Sequence, residues 1–114
     1  MASPQQLSVK VRKFLGDRDN QFWLSQASII EMTIKMNIGK LVYKGGLNTL
    51  LEDIDEAKFK ILSIERNHLL KYEKLPLHHR DPFDRIIIAQ AMFGDIAVIS
   101  KDKSFNKYDI QVIW

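Results

Sequence analysis

The chain of 114 residues contains no cysteine, which excludes a disulfide framework and any zinc site built on thiolates, and fits a reducing compartment. No apolar run approaches the ~20 residues of a membrane span. The opening Met1-Ala2-Ser3-Pro4-Gln5-Gln6 lacks the apolar core of a signal peptide. A cytoplasmic protein with no membrane contact is therefore expected. No histidines stand at H-x-x-x-H spacing, so zinc has no obvious site. A glycine loop able to cradle phosphate is missing too; Gly45-Gly46 signals a loop and nothing more. There are no repeats, linkers or low-complexity segments.

What remains is the composition of a soluble globular protein, 46% hydrophobic and 27% charged. The length suits one small domain over residues 1–114 with a single core. A net charge of +3 is compatible with nucleic acid but too small to argue for it alone.

Helical and strand periodicities alternate along the chain. Ser8 to Leu15 carries apolar residues at helical spacing, and Gly16 to Asn20 is a turn cluster. Phe22-Trp23-Leu24 is a short strand. Ile29, Ile30, Ile34 and Ile38 form one side of a helix that Gly39 should end. Leu47 to Ala57 reads as a helix with Leu50, Leu51 and Ile54 inward, and Lys60 to Ile64 as the second strand. Glu65 to Glu73 is helical, with Leu69 and Leu70 apolar. A helix from Pro82 to Phe93 is closed by Gly94, and strands follow at Ile96 to Ser100 and Ile110 to Ile113. Strands alternating with helices predict an α/β fold with a parallel sheet and helices on both faces.

The densest stretch is His79-Arg80-Asp81-Pro82-Phe83-Asp84-Arg85. Proline is pre-organised for a first helical position, and the preceding aspartate can cap the freed N–H groups. Asp84 then sits in the first turn, where a carboxylate complements the positive helix end. Glu31 lies early in another helix and Asp102 just after the apolar run Ile96-Ala97-Val98-Ile99. Acids at helix starts and strand ends are what a hard-cation site in an α/β protein requires. Each has a plainer role. Ser28-Ile29-Ile30-Glu31 is itself a capping box, Asp102 suits a turn, and Asp81 serves better as a cap than as a ligand. His78 and His79 read as surface histidines. Lys35, Lys40 and Lys44 read as a solvated face, with phosphate contacts the weaker alternative. If the three acids converge on one cleft, their like charges should raise at least one carboxyl pKa.

From about Leu7 to Trp114 the sequence resembles a PIN domain, most closely the VapC-type ribonuclease toxins of toxin–antitoxin pairs. The matching residues begin with Ser25-x-x-Ser28-x-x-Glu31-x-x-x-Lys35-x-x-x-Gly39-Lys40-Leu41. Leu75-Pro76-x-His78-x-Arg80-Asp81-Pro82-Phe83-Asp84-Arg85-x-x-x-Ala89-Gln90-Ala91 follows, then Ser100-x-Asp102-x-x-Phe105-x-x-Tyr108 and Ile113-Trp114. The resemblance implies a three-layer α/β/α sandwich and a carboxylate site for Mg²⁺ or Mn²⁺ that hydrolyses RNA. It makes Glu31, Asp84 and Asp102 the metal-binding and catalytic acids. By position, Arg85, His79 and Lys101 are candidates for contacts with the substrate backbone.

The family has a fourth acid, at the end of a first strand that would precede Leu7-Ser8, and nothing in Met1 to Gln6 supplies it. The expectation is an N-terminally truncated PIN-like chain. Two function classes follow: a metal-dependent endoribonuclease toxin, impaired by the missing acid, or a non-catalytic PIN remnant that binds RNA or an antitoxin-like protein. A homodimer, an RNA substrate and an antitoxin partner are the implied associations.

Overall fold

A computed structural model describes Lys13, Gly16, Asp17 and residues 20–114. Apart from Lys13, the expected helix from Ser8 to Leu15 lies outside the described residues, as does part of the turn cluster after it. The chain divides into two compact units, one of which is Gln21–Ile64, while Glu65–Trp114 belongs to the other.

In the unit Gln21–Ile64, strand β1 (Trp23–Ser25) leads directly into helix α1 (Gln26–Asn37). Ser25 ends the strand and caps the helix, its hydroxyl accepting from the Ala27 N–H at 3.1 Å. The helix stops at Gly39, whose φ of +77° suits a residue without Cβ. Helix α2 (Gly46–Glu56) buries Leu50 and Ile54 at the inward spacing predicted for them. The chain then returns as β2 (Lys60–Leu62), parallel to β1 with Leu24 opposite Ile61. Parallel neighbours need such a crossover. The strand is shorter than the expected Lys60 to Ile64, because the Ile64 N–H turns to the Gln26 side chain at 2.9 Å.

In the other unit, helix α3 (Arg66–Glu73) starts with a reciprocal box between Glu65 and His68. The buried residue is His68, edge-on to Phe93, whereas the apolar pair Leu69 and Leu70 is exposed. Helix α4 (Pro82–Gly94) begins where Asp81-Pro82 predicted. Its left-handed stop is Asp95, at φ 51°, one residue beyond the expected Gly94. Strands β3 (Val98–Ile99) and β4 (Val112–Ile113) pair in parallel, connected through a 3-10 turn at Lys103–Lys107. Both are shorter than the hydrophobic runs suggested. Ile96 N–H closes on the Ala91 carbonyl of α4, and Ile110 N–H on that of Tyr108, so neither joins the ladder. The core of this unit is Leu75, Ile88, Ala89, Phe105 and Tyr108.

Among the described residues, the α/β class with parallel pairing is thus realised by four helices and two two-stranded sheets. Among those residues no helix is long and apolar enough to cross a membrane.

Candidate active site

The N-terminus of α4 organises the site. Asp81 caps it, Oδ1 accepting from the N–H groups of Phe83 at 2.8 Å and Asp84 at 3.3 Å, so its carboxylate is used as the plainer reading held. One turn in, the Asp84 carboxylate reaches His79, with Oδ2 3.1 Å from Nε2. Asp102 arrives from the loop after β3. It caps the 3-10 turn, Oδ1 accepting from the Ser104 N–H at 2.9 Å, while Oδ2 stands 3.5 Å from the same His79 nitrogen. One His79 atom and one carboxylate oxygen from each aspartate all lie within 4.8 Å of one another.

His79 is no loose surface histidine; its side chain is only 15% exposed. The sequence reading offered it as a substrate contact, and the structure gives it partners within the protein. Nδ1 accepts from the Asp81 N–H at 3.1 Å and the ring packs on Phe105 at 5.9 Å. Its backbone is pinned as well. The His79 N–H donates to the Tyr108 hydroxyl at 2.9 Å, and its carbonyl accepts from Arg85 Nη1 at 3.1 Å.

Arg85 is buried, at 8% exposure, and lies over the Tyr72 ring at 5.0 Å. Besides His79 it donates to the carbonyls of Pro76 at 3.1 Å and Leu75 at 3.4 Å, and to the Tyr108 hydroxyl at 3.4 Å. The Tyr108 hydroxyl in turn accepts from the His78 N–H and donates to the Pro76 carbonyl. Arg85 and Tyr108 therefore shape the loop that delivers His79. The sequence placed Arg85 toward substrate and noted Tyr108 only in the family pattern. The spacing could not show that both reach back to one loop.

Glu31 is on α1, in the other unit, half-buried and 4.0 Å from Lys35 one turn on. The Ser28–Glu31 capping box does not form, because the helix starts three residues earlier at Ser25. Glu31 thus lies beyond the first turn, away from the amides a cap would satisfy. Lys101 is exposed beside Asp102.

The donor set suits a hard divalent ion. Carboxylate oxygens converging from two elements are what Mg²⁺ or Mn²⁺ takes, with water completing the shell. Like charge should raise a carboxyl pKa here, yet Asp102 goes down. The backbone N–H of Ser104 is the main cause, then the Ser104 side chain, with His79 adding a smaller share against the opposing effect of burial. A folded-state value below the unfolded one means that ionised Asp102 stabilises the fold above the ordinary aspartate range. That contribution fades as the pH falls through the folded-state value. Asp102→Asn should therefore be less stable than the unmodified chain at neutral pH. The gap in urea midpoint should be flat above about pH 5 and close in acid; a gap that widens in acid would contradict the assigned sign.

A family model described as PIN domain matches residues 1–111. No curated protein matches the chain.

Proposed function

Because the chain belongs to the PIN domain family, we propose that it is a metal-dependent endoribonuclease of the VapC toxin type. PIN domains are nucleases in general and typically bind divalent metals, and the family match runs through both compact units. We read them as parts of one PIN domain. The observation that carries the proposal is the meeting of Asp84 and Asp102 around His79.

In this reading Asp84 and Asp102 hold Mg²⁺ or Mn²⁺. The ion, when bound, supplies a Lewis acid for a phosphoryl oxygen and activates the attacking water. The chain's own residues do the positioning. The Asp81 carboxylate anchors the backbone N–H of Asp84 at the start of its helix, and the Ser104 N–H holds the Asp102 carboxylate. Hydrolysis forms a bond from water oxygen to phosphorus and breaks one phosphorus–oxygen ester bond, the leaving oxygen taking a proton. Lys101 contacts a backbone phosphate next to the break. A homodimer, an antitoxin partner that masks the site and a cytoplasmic setting complete the proposal.

The test is incubation of the full chain with single-stranded RNA, with Mg²⁺ or Mn²⁺ and with a chelator. Internal cleavage that needs the ion supports the reading. Tight binding of RNA without cleavage under any ion favours the non-catalytic alternative.

Lys101 offers a separate check. Lys101→Ala should weaken RNA binding across sequences and lower the slope of log affinity against log salt by roughly 0.7, one phosphate contact on a single strand. An unchanged slope removes Lys101 from the interface.

A further inference from the structure

We infer that His79 is a positioning residue of the metal site, its Nε2–H drawing the carboxylates of Asp84 and Asp102 together while the ring itself stays out of the coordination shell. This rests on the metal-site reading above and adds to it the role of a residue that neither the acid pattern nor the family match assigns.

The ring's own hydrogen bonds carry the argument. Nδ1 accepts from the Asp81 N–H at 3.1 Å, so Nδ1 presents its lone pair, and the ring proton is assigned to Nε2 from that bond. Nε2 is the atom facing the two carboxylates, at 3.1 Å from Asp84 Oδ2 and 3.5 Å from Asp102 Oδ2. It is a donor set between two acceptors.

A histidine that ligates a metal shows the reverse arrangement. Its second nitrogen donates to a carboxylate or carbonyl, which leaves the first free to bind the ion. For His79 to ligate through Nε2, the proton would have to move to Nδ1, where it would point at the Asp81 N–H. That amide is not free to turn away, because Asp81 is fixed as the cap of α4.

The mounting is equally specific. The ring rests on Phe105, the backbone N–H on the Tyr108 hydroxyl, and the carbonyl on Arg85. Asp84 comes from a helix and Asp102 from a loop after a strand, so the donor bridges two separate elements. Two carboxylates left without it repel each other and lose the close approach a shared ion needs.

Mn²⁺ binding followed by electron paramagnetic resonance tests this without any turnover. His79→Ala should weaken Mn²⁺ affinity by roughly tenfold to a hundredfold, the range for removing a partner that orients metal ligands. His79→Gln sets an amide N–H near the place of Nε2 and should stay within about threefold of the unmodified chain. Pulsed spectra of the Mn²⁺-loaded unmodified chain should lack the strong coupling of a directly bound imidazole ¹⁴N, and this readout needs no variant to fold.

A strong ¹⁴N coupling that disappears in His79→Gln would make His79 a ligand and overturn the inference. So would equal losses in the Ala and Gln variants, or tighter binding in His79→Ala, which would mark the ring as a competitor for the carboxylates. Mn²⁺ binding lost in Asp84→Asn but unchanged in His79→Ala sinks the His79 role and leaves the metal site standing. No Mn²⁺ binding by the unmodified chain sinks both.

Discussion

Asp84→Asn is expected to abolish ion-dependent RNA cleavage while leaving the fold intact. The side chain lies in the first turn of α4 with its Oδ2 on His79, and an amide of nearly the same shape can fill the same space. Helix initiation survives, since the cap is Asp81 and not Asp84. What is lost is a charged oxygen donor. If the ion stabilises the transition state by about 3 kcal/mol more with that donor than without it, the rate falls about a hundredfold. The loss should also be visible without substrate. A saturating ion at about a hundred times its dissociation constant stabilises the unmodified chain by about 2.7 kcal/mol, and the variant should show little of that shift in a thermal melt. Retained cleavage and a retained Mn²⁺ shift would remove Asp84 from the site.

Arg85→Ala should be the most damaging single change to the site's support. It removes donors to the carbonyls of Leu75, Pro76 and His79 from a position only 8% exposed. Those carbonyls then lose partners in a place water reaches poorly, and a loss of about 3 kcal/mol is the expected scale. For a domain of this size that is a fall of about 10 °C in melting temperature. Arg85→Lys should recover less than half of it, because one ammonium cannot span the acceptors that a planar guanidinium reaches. Metal affinity should fall in parallel, since the His79 carbonyl hangs from Arg85. A melt within a degree or two of the unmodified chain would show the loop to be held by Tyr108 alone.

Much of this site was legible in short windows. Asp81-Pro82 marked the start of α4 because proline and a capping acid act within one turn. Asp102 was placed by the apolar run before it, and its nearest partner is two residues away. His79 was misread as a surface residue for the opposite reason. Phe105, Tyr108 and Asp102 lie far along the chain, so its burial depends on a loop closing over it. Glu31 shows a subtler failure. Serines recur at 25 and 28, so the helix could be capped in either frame. The pairing of Ser25 with Leu62 sets where β1 ends, and with it which serine caps.

The sequence by itself determined the alternation of helices and strands, the start of α4, the α/β class and the acids worth watching. These depend on period, on proline and on side chains that act within a few residues of themselves. Only the tertiary structure decided that His68 and not Leu69 or Leu70 is buried, that Arg85 faces inward, and that His79 stands between two aspartates. Each of those outcomes is set by which distant backbone carbonyl, hydroxyl or ring arrives opposite, and packing, rather than local propensity, selects it.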